Sequence, residues 1–247
     1  FVIDFPQQDI FPGHYLRASY KYSERIFEIF KKNSEVDFIY AKGFSGWKLL
    51  EEKKKGFFCP DVGVNFHGLE MFQQTFSYKG KMEQSMLKKP VLLNLRTADY
   101  VFSYGGKITS ILLGLKISQN KIIEAPTGIK RDWLAENILP LSEKRKFVFI
   151  GRYERRKGIE ELIAAVKSLL SDHPFEFHFI GPIPENKKII SDKVKYWGQI
   201  NDAEKIKSIL QQCDILVCPS YSEGMPNVIM EAMASGLAVI ATDVGAV

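Results

Sequence analysis

From residue 147 onward short apolar runs alternate with helical patterns at close spacing, and few architectures accept that alternation. Residues 147–150, 175–180, 193–196, 214–218 and 237–241 read as strands. Between them Ile159, Leu162, Ile163, Val166, Leu169 and Leu170 recur at helical spacing, as do Ala203, Ile206, Ile209 and Leu210. A third helix spans 226–235, with Pro226 suited to its first position and Gly236 to the residue just past its end. The pattern predicts a parallel α/β sheet. The first half is also α/β but less regular. It shows helices at 19–32 and 108–115 and strands at 36–40, 62–66, 100–103 and 121–124. Ala125-Pro-Thr-Gly128 and the polar segment 140–146 mark a junction. The division expected is a domain over 1–127, a linker over 128–146 and a second domain over 147–247.

Composition narrows the class. Of the 247 residues 45% are hydrophobic and 26% charged, which excludes a disordered tail, a collagen-like rod and a disulfide scaffold. No apolar run approaches the ~20 residues of a membrane span, and no secretory leader pattern follows Phe1. Cys59, Cys213 and Cys218 lie in or beside apolar segments and read as reduced core thiols, which favours a cytoplasmic location. Charge is uneven. Residues 1–130 carry 19 Lys and Arg against 13 Asp and Glu, whereas 131–247 carry 15 against 16. An excess confined to one half suits a solvated face or contact with an anionic lipid surface. The lysine-rich stretches at 31–32, 53–55 and 79–89 show no RNA-binding signature, so nucleic acid is not an expected partner.

Two segments carry chemistry. Gly151-Arg-Tyr-Glu-Arg-Arg-Lys-Gly158 lies between a strand and a helix. It matches neither the Walker loop nor the dinucleotide fingerprint, since Ile159 follows Gly158 and the three close glycines are missing. A basic loop at a helix N-terminus remains, where cationic side chains and backbone N–H groups suit a pyrophosphate. The second segment runs from Ser222 to Gly236. Glu223 precedes the helix and Glu231 lies inside it, ~6–8 Å further along at 1.5 Å rise per residue. Two carboxylates so placed suit different ends of one extended ligand, with backbone N–H groups offered between Gly224 and Asn227. The helix dipole alone accounts for Glu223 and poorly for Glu231.

The Glu-x7-Glu spacing resembles that of retaining glycosyltransferases of the family 4 type, as do Gly-Met-Pro after Glu223 and Glu-Ala-Met-Ala-Ser-Gly around the second glutamate. The Gly-Arg-x4-Lys-Gly stretch is similar to that family's pyrophosphate loop. The resemblance covers most of 60–247 and is most specific from 147 onward. It implies a GT-B architecture, two Rossmann-like domains with parallel sheets facing across a cleft. It also implies a first strand and glycine-rich loop before Phe1, and closing helices after Val247.

On that resemblance Arg152 and Lys157 hold the donor diphosphate and Glu231 the donor ribose. Glu223 sits at the donor sugar with Gly224, Met225, Pro226 and Asn227, and Ile200 and Lys205 lie against the base. His67, in His67-Gly-Leu-Glu70, matches the histidine that faces the reacting sugar. The implied reaction is retaining sugar transfer from a nucleotide-diphosphate sugar to a glycan or lipid-linked acceptor. It takes place in the cytoplasm, at the inner face of the membrane, with peripheral contact through the first half. Cations and a helix N-terminus stabilise the departing phosphate. No Asp-x-Asp motif occurs, so neither a metal nor another cofactor is expected. The alternatives are a phosphorylase or epimerase on the same fold and a nucleotide-sugar-binding module without turnover. A nicotinamide dehydrogenase lacks its glycine fingerprint.

Overall fold

The computed structural model describes residues 2–6, 13–33, 35–75, 78–136, 140–141 and 143–247. The chain divides into two compact units, Phe1–Pro126 and Thr127–Gly245. Of the segment expected as a linker, residues 137–139 and 142 lie outside the described residues. Its earlier part packs on the second unit, where the Ala135 N–H donates to the Ala234 carbonyl at 2.8 Å.

The first unit runs α1 (His14–Lys32), β1 (Phe38–Lys42), α2 (Trp47–Lys54), β2 (Asp61–Asn65), α3 (Tyr78–Thr97), β3 (Tyr100–Ser103), α4 (Gly106–Gly114) and β4 (Ile122–Glu124). Its four strands pair in parallel in the order β1-β2-β3-β4. Val62, Val64 and Val101 are almost fully buried, as expected for strands covered on both faces. The sequence reading has no helix where α3 stands. Its N-terminal half falls in the lysine-rich stretch, and Pro90 lies inside it. Proline removes one intrahelical N–H. Here Val91 and Leu95, four apart, together with Ala98 just past the helix end, are buried in the core and hold the helix through that defect. α2 also went unread, and it packs on α1 through Tyr20 and Trp47, whose hydroxyl and indole N–H both donate to the Glu51 carboxylate.

The second unit runs β5 (Arg145–Ile150), α5 (Ile159–Leu169), β6 (Phe175–Ile180), β7 (Val194–Gly198), α6 (Ala203–Leu210), β8 (Ile215–Cys218), α7 (Asn227–Ala234) and β9 (Ala238–Ala241). Its parallel sheet has the order β7-β6-β5-β8-β9. Phe175, Phe177 and Phe179, at period two, pack with Ile159, Leu162, Ile163 and Val166 of α5 on one face. Val148, Ile180 and Leu216 pack with Ile209, Leu210, Ile229 and Ala232 of α6 and α7 on the other. Pro226 is not the first helical residue, as the sequence suggested. Its ψ of 109° is extended, so it stands at the N-cap and α7 starts at Asn227. Gly236, at φ 90°, takes the left-handed position past the helix end.

A buried polar cluster sits on the α6 side of this sheet. His178 is 4% exposed, and its Nε2 lies 2.5 Å from Glu176 Oε1. Lys195 Nζ donates to the same carboxylate at 2.7 Å and the Trp197 indole N–H to His178 Nδ1 at 3.3 Å. Burial alone pushes the Glu176 carboxyl up, but Lys195 and His178 outweigh it and hold it at about 2. Burial lowers the His178 pKa, with Glu176 opposing. Both folded values lie below their unfolded ones, so both contributions are present at neutral pH and lost on acidification. The destabilisation by Glu176→Gln should be largest above pH 4.5 and vanish toward pH 2. Urea unfolding across that range checks this, and a difference independent of pH contradicts it.

Candidate active site

In the second sheet β5 and β8 are neighbours, yet the chain leaves β5 for one face and β8 for the other. At such a reversal of strand order the two following loops diverge and leave a crevice at the carboxyl ends. The loops at this point are 151–158 and 219–226, the two segments that carry the chemistry. They are bonded directly. The Tyr221 N–H donates to the Arg156 carbonyl at 2.8 Å, and the Arg155 guanidinium lies over the Tyr221 ring, 5.1 Å from its centroid. Gly158 is required by the approach: at φ +66° a Cβ would stand 2.0 Å from the Pro219 carbonyl oxygen. Gly245, at φ +64°, comes as close from the other side. A Cβ there would meet the Glu223 and Gly224 carbonyl oxygens at 2.4 Å.

Glu223 is 6% exposed. Its Oε1 accepts from Lys157 Nζ at 2.5 Å, and Arg156 Nη1 lies 3.6 Å from Oε2. Arg156 also reaches Glu154 at 2.8 Å, and Arg152 pairs with the same carboxylate at 3.0 Å. The result is an alternating line, Arg152–Glu154–Arg156–Glu223–Lys157, of three cations and two carboxylates. Its last member, Lys157, directly precedes Gly158 and the N-terminus of α5, whose first turn carries Glu160 and Glu161, both within reach of Arg155. Arg152, with its side chain 70% exposed, forms the solvent end and Lys157 the buried end.

Glu231 lies one turn beyond Asn227 on α7, and both line a cavity of about 330 Å³ with Gly128, Trp133, Met230 and Lys207. Burial raises the Glu231 carboxyl above its ordinary pKa. Part of the cavity wall comes from 128–133, held to the second unit by a Lys207 bond to the Asp132 carbonyl and by a bond from the Thr127 N–H to Met225 Sδ at 3.2 Å. Of the residues expected at the base, Ile200 packs into the α6 and α7 core and Lys205 is exposed on α6. Neither lines this cavity, whereas Lys207, on the same helix, does. Arg156, Trp133 and Lys207 were not anticipated. Arg156 is one of three arginines in its loop, and no spacing rule ranks them. Trp133 and Lys207 enter only through the fold of the supposed linker.

His67 belongs to the first unit, in the turn after β2. Its backbone is left-handed, φ 53°, as is that of Leu69, which costs a non-glycine residue of order 1–3 kcal/mol. The turn is held by a bond from the His67 N–H to Asn65 Oδ1 at 2.8 Å. The imidazole is exposed, and its Nδ1 lies 2.5 Å from the Tyr104 hydroxyl.

The Lys157–Glu223 pair sets a stability expectation. Removing one member of a buried pair costs about 3–5 kcal/mol when nothing else faces the other, and here Arg156 stays beside Glu223 and holds the loss to the low end. Lys157→Met should therefore cost about 3 kcal/mol in urea unfolding, and adding Glu223→Leu should recover most of it. A cost under about 1 kcal/mol, or simple additivity, contradicts the buried pair.

Residues 144–247 match the family described as "Glycosyl transferases group 1". A putative teichuronic acid biosynthesis glycosyltransferase of Bacillus subtilis, TuaC, is 41% identical over 109 residues, 44% of this chain and 27% of that protein. The phosphatidyl-myo-inositol mannosyltransferase of Mycolicibacterium smegmatis is 34% identical over 137 residues, 50% of this chain and 35% of its own. The matches thus span well under half the length of these relatives. Among solved structures, the sucrose-phosphate synthase of Thermosynechococcus elongatus superposes with a TM-score of 0.71 at 24% identity, over 93% of this chain and 61% of that one. Residues 144–247 are thus similar to group 1 glycosyl transferases, and the chain has the fold class of the GT-B structures it superposes on.

Proposed function

We propose that the chain belongs to an enzyme that transfers a sugar, with retention, from a nucleotide-diphosphate sugar to a glycan or lipid-linked acceptor. The observation that carries the reading is the junction of the 151–158 and 219–226 loops at the strand-order reversal, with Lys157 bonded to Glu223. In the transfer the bond from the anomeric carbon to the phosphate oxygen breaks, its electron pair leaving with the nucleoside diphosphate. A bond forms to the acceptor hydroxyl oxygen, whose proton departs. The charge that develops on the leaving phosphate falls where Arg152, Lys157 and the α5 N-terminus supply a preorganised positive field. A lysine has three N–H donors, so one directed at Glu223 leaves Lys157 able to bridge that carboxylate and a phosphate. Glu223 and the backbone of 224–227 take the sugar and Glu231 accepts from the ribose hydroxyls. The adjoining cavity, with Trp133, takes the rest of the nucleoside. With cations in these places the departure needs no metal.

A teichuronic acid glycosyltransferase and a phosphatidyl-myo-inositol mannosyltransferase are among the relatives, and the positive excess lies in residues 1–130. We place the acceptor on a membrane-linked glycan or lipid at the cytoplasmic face, met peripherally. No helix among the described residues is long and apolar enough to cross a membrane. Salt-sensitive cosedimentation with anionic vesicles is its check.

The donor reading is tested by thermal unfolding with UDP, GDP, ADP and their sugars in excess EDTA. One nucleotide family should stabilise the chain, by about 2.7 kcal/mol at 100-fold over its Kd. Glu231→Ala and Lys157→Ala should each weaken that shift. No stabilisation by any nucleotide contradicts the donor site, and stabilisation that appears only after Mn²⁺ is added contradicts the metal-free reading.

A further inference from the structure

Within the first unit β2 and β3 are paired, Val64 opposite Val101, so the residues that follow them emerge side by side. They form a polar chain whose proton directions can be worked out from one fixed donor. The His67 backbone N–H donates to Asn65 Oδ1, so the other branch of that amide is its NH2 group. Asn65 is 4% exposed and thereby locked. Its Nδ2 donates to the Tyr40 hydroxyl at 2.8 Å and also interacts with the Tyr104 hydroxyl. An Asn65 N–H turned toward the Tyr104 oxygen leaves the phenol proton to be offered to His67 Nδ1, 2.5 Å away. The charges in play favour the same arrangement. Burial raises the Tyr104 pKa, helped by neighbouring Tyr40, and keeps the phenol protonated. Partial burial and the Lys42 charge lower that of His67 against the opposing pull of Glu70, which favours the neutral imidazole.

We infer that Tyr104 is a positioning residue that fixes His67 as the Nε2–H tautomer, so that His67 meets its ligand as a neutral hydrogen-bond donor and not as a base. A neutral imidazole carries one hydrogen, and with Nδ1 occupied as acceptor that hydrogen is on Nε2. The left-handed backbone of His67, held by the same Asn65, sets where the ring stands, and Tyr104 sets which nitrogen is protonated. Such a donor suits a ligand oxygen that accepts: a sugar hydroxyl, a ring oxygen or a phosphate oxygen. That His67 meets the reacting sugar rests on the glycosyl-transfer reading, while its tautomer does not.

The test is a long-range ¹H–¹⁵N correlation spectrum of the whole chain labelled in its four histidines. His67 is assigned by the signal lost in His67→Asn. The wild type should show a single His67 tautomer, Nε2 protonated and Nδ1 hydrogen-bonded. In Tyr104→Phe the Nδ1–H form should become detectable and the imidazole pKa should rise, because the bond favouring the neutral ring is gone. A wild-type ring protonated on Nδ1, or a variant with unchanged tautomer and pKa, overturns the inference. The wild-type spectrum alone decides the first point should the variant fold poorly. A chain that binds no nucleotide yet shows the Nε2–H ring supports this inference and removes only the glycosyl-transfer reading. Nucleotide binding with a mixed tautomer in the wild type does the reverse.

Discussion

The Lys157–Glu223 contact joins the two loops on which the second unit's site is built. Its worth as a stabilising interaction is small, because a buried pair recovers about what desolvation costs it. Its consequence is positional. Lys157 ends the loop leaving β5 and Glu223 lies in the loop leaving β8, so the pair pins together two segments 66 residues apart. The Tyr221 bond to Arg156 and the close passage of Gly158 beneath Pro219 leave the backbone little room to adjust. A buried carboxylate held between Lys157 and Arg156 is costly to build, and such costs concentrate where a ligand later shares the charge.

The same economy of position appears in the first unit. One buried side chain, Asn65, supports the His67 backbone through Oδ1 and orients Tyr40 and Tyr104 through Nδ2. In both units the polar residues gather after the carboxyl ends of parallel strands, where backbone ladders end and side chains take over the hydrogen bonding. The interior behind them is mostly apolar, the His178–Glu176 pair aside, and short phenylalanine- and valine-rich strands serve as the scaffold.

Much of this was readable from the residues. Strands β3 and β6 and helix α6 stand at the bounds their patterns suggest, because each has a clean period and a clear stop. Helix α3 was not legible: its apolar stripe is interrupted by lysines and Pro90, and only the tertiary core reveals it. The site divides the same way. Lys157, Glu223 and Glu231 stand out in the sequence because the two segments that hold them, 151–158 and 222–236, resemble a family pattern. Arg156, Trp133 and Lys207 depend on which face a loop turns and where 128–133 folds back, and a single sequence does not encode that in any local pattern. Tyr104 escapes for a related reason, its partner being 37 residues away in the turn after the neighbouring strand.

On the proposed reading, the paired loops form an anion site for a nucleoside diphosphate. Backbone amide shifts recorded while titrating the nucleotide that stabilises the chain test it most directly. The largest changes are expected at Gly151, Arg152, Lys157 and Gly158, at Glu223 and Gly224, and along α7 to Glu231. Changes confined to other surfaces, with these amides unmoved at saturation, would contradict it.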